Sequence, residues 1–253
     1  MDGANKYLYF ASDFHLGAPN AEKSLVRERA LISWLEQIED SAHSIFLLGD
    51  VFDFWFEYKT VVPKGYIRLL GKLAALSDKG IQIHLFKGNH DMWMFGYLEK
   101  ECGVKLHRAP IKLKLQGKAI FLGHGDGLGP GDYGYKFLKR LFANRFCQWL
   151  FARMHPNFGI GLANFWSRRS RAASNVKDAF KGEENEWLLQ YCREVIQREP
   201  DIDYFIFGHR HLLLDIKVNE RSRYVNLGDW FTDCNYAVLE NGMLELRKFV
   251  SPE

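Results

Sequence analysis

The chain has 253 residues, 47% of them hydrophobic, enough to bury a substantial core and best suited to one domain spanning 1–253. The opening MDGANKYLYF has no basic flank before a long apolar stretch, and no apolar run nears the roughly 18 residues of a bilayer span. Neither a signal peptide nor a spanning helix is expected, and a cytoplasmic or membrane-peripheral chain is. The net charge of +3 excludes little, but four cysteines without CxxC spacing argue against a zinc ribbon or a disulfide framework.

In chain order, six segments share one pattern: YLYFASDFHL, SIFLLGDVFDFW, IQIHLFKGNHD, KAIFLGHGDG, DYFIFGHRH and RYVNLGDW. Each is a short apolar or β-branched run that ends in a turn of Gly, Asp, His or Asn, as a strand with polar chemistry at its end would read. Amphipathic helices are predicted between them over about 22–39, 64–79 and 183–198, with Leu31, Trp34, Leu35 and Ile38 at helical spacing. Strands alternating with helices predict an α/β architecture, in which ligands bind at the carboxyl ends of the strands.

The strand-end residues are Asp13, His15, Asp50, Asn89, His90, Asp91, His124, Asp126, His209 and His211. Oxygen and imidazole donors without thiolates suit Mn2+, Fe2+ or Zn2+, and a central carboxylate can bridge two ions. Any one of these histidines, taken alone, is more often a surface or hydrogen-bonded core residue; their joint pattern points to a two-metal site. His43, His84, His107 and His155 have no matching motif and are assigned no catalytic role. Asp53, Asp126 and Asp91 follow candidate ligands closely enough to orient them, Asp91 serving His90.

The blocks DFHL, GDVFD, GNHD, GHGD and GHRH, in that order, resemble the signature of the calcineurin-like metallophosphoesterases. The resemblance implies a four-layer α/β/β/α sandwich of two mixed sheets. It further implies that Asp13, His15 and His211 hold one divalent metal, that Asn89, His124 and His209 hold a second, and that Asp50 bridges them, with Mn2+ the expected ion. His90 and Asp91 then stand beside the metals as the catalytic pair, in a hydrolase of phosphoesters or phosphoanhydrides.

From Tyr133 to Lys177 there is no acid and there are nine bases. Removing those nine from the 34 lysines and arginines leaves 25 bases against 31 acids, so a cationic segment interrupts an otherwise acidic chain. A helical apolar stripe is predicted there, Leu138, Phe142, Phe146 and Trp149, with bases at neighbouring positions. That combination suits an anionic membrane surface or acyl chains. A packed helical hairpin with a solvated basic face is the plainer alternative, and a nucleic-acid surface is a less favoured third.

LLGDVFDFW, GHGDGLGPGDYGYKFLK and SRAASNVKD make the resemblance narrower, to the UDP-2,3-diacylglucosamine pyrophosphatases of lipid A biosynthesis. It implies an inserted helical cap at about 133–177 and a lipid-linked nucleotide diphosphate substrate. It also implies substrate contacts from Asp132, Tyr135, Ser174 and Lys177, and peripheral association with the inner face of the cytoplasmic membrane. That narrower family carries arginine where this chain has His90, so GNHD fits the wider superfamily better. A phosphodiesterase or phosphoprotein phosphatase acting on a soluble substrate is therefore the alternative.

Overall fold

The computed structural model describes residues 7–131, 133–174 and 180–250, and within 170–174 the backbone alone. The strands are β1 (Tyr7–Ala11), β2 (Ala42–Leu47), β3 (Gln82–Phe86), β4 (Lys105–His107), β5 (Ile111–Leu115), β6 (Lys118–Leu122), β7 (Tyr204–Phe207), β8 (Leu213–Lys217), β9 (Arg223–Leu227), β10 (Asn235–Glu240) and β11 (Met243–Lys248). The helices are α1 (Ala21–Ile38), α2 (Ile67–Asp78), α3 (Tyr97–Cys102), α4 (Tyr133–Ala143), α5 (Arg145–Phe151), α6 (Pro156–Ser174) and α7 (Trp187–Arg198). One sheet runs β11-β10-β1-β2-β3-β4 and the other β5-β6-β7-β9-β8. Both are mixed: β1 to β4 pair in parallel while β10 runs antiparallel to β1, and β6, β7 and β9 are parallel between antiparallel edges.

Side chains alternate across each strand, and that alternation separates the layers. Leu8 and Phe10 of β1 and Phe46 of β2 join Tyr204, Ile206 and Val225 in a core between the sheets. Tyr9, Ala11, Ile45 and Leu47 face the opposite way and pack with Leu31, Trp34, Leu35, Leu69 and Leu73 of α1 and α2. Beyond the second sheet, Phe205 and Phe207 pack on Leu188, Leu189 and Cys192 of α7. The outcome is helix, sheet, sheet, helix, the four layers expected.

The three predicted helices form, with shifted starts. Asn20 caps α1 by accepting from the Lys23 amide at 2.9 Å, within two residues of the expected start. α2 begins at Ile67 rather than 64, because Tyr66 adopts the left-handed φ of +57°. α7 begins at Trp187: Glu183–Asn185 form a 3-10 turn, and Glu186 is buried against the Arg210 guanidinium at 3.1 Å. The predicted stripe from Leu138 to Trp149 is broken in two, since Asn144 ends α4 and its Oδ1 caps α5 through the Phe146 amide. No helix among the described residues is long and apolar enough to cross a membrane.

His84 and His107 form a stacked pair across β3 and β4. Their rings are parallel within 1°, and Nδ1 of His84 lies 2.9 Å from Nε2 of His107. Burial, then the charge of His107, holds His84 down to about 4 against its usual 6.5. Between those values the unfolded chain binds the proton and the folded chain does not, so stability falls as pH drops from about 6.5 toward about 4. We expect urea unfolding at pH 7 and pH 5 to show a loss of about 1 kcal/mol, below the roughly 1.8 kcal/mol that linkage gives over that interval because solvent partly screens the pair. The double variant His84→Leu, His107→Leu should flatten that slope, and an unchanged slope would refute the assignment.

Candidate metal centre and its cap

The turns after β1, β2, β3, β6 and β7 converge on one point. Asp13 and His15 follow β1, Asp50 follows β2, Asn89 to Asp91 follow β3, His124 follows β6, and His209 and His211 follow β7. Asp13, His15 and Asp50 are fully buried or nearly so. Their turns are unusual in backbone: Asp13, His15, Asp50, His209 and His211 all have positive φ, between 43° and 70°. Left-handed backbone at non-glycine residues costs energy and persists where the surroundings over-determine it, most often at functional sites. Gly88 and Gly208 are dictated by the crowding. A Cβ on Gly88 would lie 2.1 Å from Asp50 Oδ1, and one on Gly208 would lie 2.4 Å from Asp13 Oδ2.

Two clusters result. In the first, Nε2 of His211 is 3.3 Å from Asp13 Oδ1 and 3.2 Å from Nε2 of His15. In the second, Asn89 Oδ1 is 3.1 Å from Nε2 of His124 and 2.9 Å from Nδ1 of His209. Asp50 Oδ2 stands between them, 3.6 Å from Nε2 of His15 and 3.3 Å from Nε2 of His124. The structure thus brings together Asp13, His15, Asp50, Asn89, His124, His209 and His211.

The electrostatics are those of carboxylates without an ordinary counter-ion. Burial pushes the Asp13 carboxyl up, but the hydrogen bond from His211 and the nearby imidazoles outweigh it and hold it at about 2. Asp50 is likewise held well below the carboxylate range, burial being overcome by His124, His90 and His15. Burial opposes protonation of His124, yet the charge and hydrogen bond of Asp50 push it up to about 10. Burial holds His15 well below its usual value and His209 at about 4. Among the described residues no lysine or arginine pairs with Asp13 or Asp50. A divalent cation can displace the His124 proton and supply that charge, and oxygen and imidazole donors fit it.

Several neighbours hold these turns. Arg27, on α1, donates to the carbonyls of Phe14, His15 and Ala18. Arg210, between the two histidines of GHRH, is clamped by the buried Glu186 carboxylate and lies 4.2 Å over the Trp187 ring. Asn226, on β9, donates to the Gly208 carbonyl at 2.5 Å. No motif marks these three in the sequence: Arg27 lies beside Glu28 and Arg29 in a charged run, and Arg210 between two histidines.

The predicted partnership of Asp91 with His90 does not form. Asp91 is fully buried, and its oxygens accept from the amides of Gly88, Val51 and Phe52 at 2.7, 2.8 and 3.3 Å. Burial and then the charge of Asp50 push its carboxyl up to about 7. It ties the β2 and β3 turns together by backbone contacts and leaves His90 to other groups. Asp53 is the carboxylate near His90, with Oδ1 3.7 Å from His90 Nδ1 and 3.6 Å from His15 Nδ1.

Helices α4 to α6 lie beside this centre. Tyr135 and Lys139, one turn apart on α4, both reach Asp126, two residues beyond His124, each at 2.6 Å. Trp93 Nε1 donates to the Phe142 carbonyl at 2.8 Å, and the Phe151 ring sits 4.7 Å from those of Phe56 and Trp93. Away from these contacts the surface is apolar and exposed: Phe137 on α4, Phe146 and Trp149 on α5, Phe158, Phe165 and Trp166 on α6. Of the predicted substrate contacts, Tyr135 stands at the centre's edge, its ring 6.3 Å from that of His209. Ser174 ends α6 with its side chain undescribed, and Asp132 and Lys177 lie outside the described residues.

A family model described as calcineurin-like phosphoesterase matches residues 7–213. A protein of Porphyromonas gingivalis named UDP-2,3-diacylglucosamine hydrolase is 41% identical over 262 residues, covering 97% of this chain and 98% of its own. One of the same name from Aeromonas salmonicida is 26% identical and covers 96% and 93%. Among solved structures, the E. coli phosphoesterase Yfce aligns at a TM-score of 0.43 and 16% identity, covering 94% of this chain and 90% of its own. The matched stretch contains all the turns that build the paired clusters, and the chain belongs to the calcineurin-like phosphoesterase family.

Proposed function

We propose that this chain is a two-metal hydrolase that cleaves the pyrophosphate of UDP-2,3-diacylglucosamine to UMP and 2,3-diacylglucosamine 1-phosphate. The observation that carries the reading is the position of Asp50 Oδ2 between His15 and His124, one from each cluster, beside a basic surface of exposed aromatic side chains. The relative at 41% identity, aligned along nearly its full length, supports the substrate.

Asp13, His15 and His211 would hold one cation, Asn89, His124 and His209 the other, with Asp50 shared and Mn2+ the preferred ion. Bound there, divalent cations supply a nucleophile at neutral pH and neutralise phosphoryl oxygens. His90 is the nearest imidazole left over: its ring meets that of His15 edge-on at 4.7 Å, so a proton on it can stabilise charge on the phosphoryl group. The leaving phosphate needs little acid assistance, which makes charge stabilisation the larger contribution. The cap aromatics would receive the acyl chains, and its bases would face anionic lipid at the cytoplasmic membrane.

The direct test is to assay the purified Mn2+-loaded protein on UDP-2,3-diacylglucosamine and on bis(p-nitrophenyl) phosphate side by side. Preference for the soluble diester would favour the general phosphodiesterase reading instead. Asp50→Asn puts a neutral amide between two cations, so metal analysis should show most of the bound ion gone and activity down by about 10²-fold or more, with the circular dichroism spectrum retained. Full metal occupancy in that variant would reject the bridging role. On the cap, Arg168→Glu with Arg169→Glu should weaken binding to anionic vesicles in a salt-sensitive way, each base contributing about 1 kcal/mol. Turnover of the soluble diester should stay near that of the parent; equal loss on both would mean the cap is only structural.

A further inference from the structure

His90 is held from the cap as well as from the core. Its Nδ1 lies 3.1 Å from the Asp53 carbonyl, 3.0 Å from the Ser167 hydroxyl and 3.7 Å from Asp53 Oδ1. A carbonyl oxygen only accepts, so the ring nitrogen facing it is the one that carries hydrogen. Nε2, on the other edge of the ring, is then the atom left to meet a substrate, and no described residue bonds to it.

Ser167 is unlike its neighbours on α6. Phe165 and Trp166 are more than half exposed, whereas Ser167 is 8% exposed. The helix turns one small hydroxyl inward onto His90 while presenting aromatic rings outward. A backbone carbonyl alone fixes one direction of the imidazole plane; a second oxygen from another element fixes the remaining rotation about its side-chain bonds. Supporting contacts of this kind keep a reacting group within the narrow geometry that catalysis needs.

We infer that Ser167 is a positioning residue for His90, fixing from within the cap the ring orientation of a catalytic group whose tautomer the Asp53 carbonyl sets. The inference rests on the reading of His90 as that group, and couples the seating of α6 to the chemistry at the metals. A cap out of place leaves His90 with the Asp53 contacts alone, so its Nε2 samples several directions.

A double-mutant cycle tests this, with kcat and KM measured on both UDP-2,3-diacylglucosamine and bis(p-nitrophenyl) phosphate for Ser167→Ala, His90→Ala and the pair. Ser167→Ala should lower kcat about tenfold with little change in KM, the size expected for one lost orienting hydrogen bond. In the His90→Ala background the same change should cost almost nothing, because the residue it positions is gone. Trp93→Phe, which removes the Phe142 contact at a different point of the cap, should instead add its loss to that of His90→Ala. Ser167→Thr, which keeps the hydroxyl, should recover at least half of the alanine loss. Independently of turnover, the 15N spectrum of the metal-free protein at pH 8 should show the Nδ1–H tautomer for His90, identified by its loss in His90→Ala, and Ser167→Ala should shift and broaden that signal as the ring samples further orientations. Additive losses, a threonine variant no better than alanine, or an unchanged 15N signal would each overturn the inference. The soluble diester reads His90 and Ser167 even if the diacylglucosamine nucleotide is not hydrolysed, so the two proposals fail separately.

Discussion

Burying Asp50 is the constraint around which the molecule is arranged. An isolated carboxylate loses too much hydration to sit inside a protein unless charge or donors replace it. Here His124 and His15 both approach Oδ2, at 3.3 and 3.6 Å, and the His90 amide donates to Oδ1 at 2.9 Å. Each of those groups comes from a different strand end, so satisfying one side chain requires β1, β2, β3 and β6 to finish at the same level. The two sheets supply that common level, and the apolar layer between them keeps it fixed.

The same requirement explains the backbone. Five side chains that aim at one small volume cannot all do so from ordinary strand geometry, and the left-handed turns at Asp13, His15, Asp50, His209 and His211 bend them inward. Strain of that sort is held in place by hydrogen bonds from outside the turn. Arg27 and the Arg210–Glu186 pair provide it, each buried and each spanning two elements. Helices α4 to α6 are held differently: among the described residues Asp126, Trp93 and His90 anchor them, and much of their apolar surface stays in solvent.

Much of this was legible in the sequence, for physical reasons. The six apolar runs became β1, β2, β3, β6, β7 and β9 because buried central strands are continuous in hydrophobicity and end abruptly at glycine turns. The edge strands gave weaker signals: β5, IKLKL, and β8, LLDIK, alternate between half-buried and exposed positions, and β4 is only three residues long. Residues that converge on the centre were found because their types recur at strand ends. The pairing of Asp91 with His90 is one that adjacency in the chain suggests and the structure does not make. In a turn, successive side chains diverge, and the Asp91 carboxylate went to three backbone amides instead. Ser167 carried no signal, since a serine in an amphipathic helix reads as surface and only its burial beside His90 sets it apart.

His15 and His211 meet at 3.2 Å although 196 residues separate them along the chain. During synthesis the first cluster therefore stays without His211 until the chain has grown past β7, and the second waits equally for His209. Emerging fragments hold half-formed donor sets at best. The centre is thus completed in a single step once β7 is made, and a product stalled before that strand would lack one histidine from each cluster.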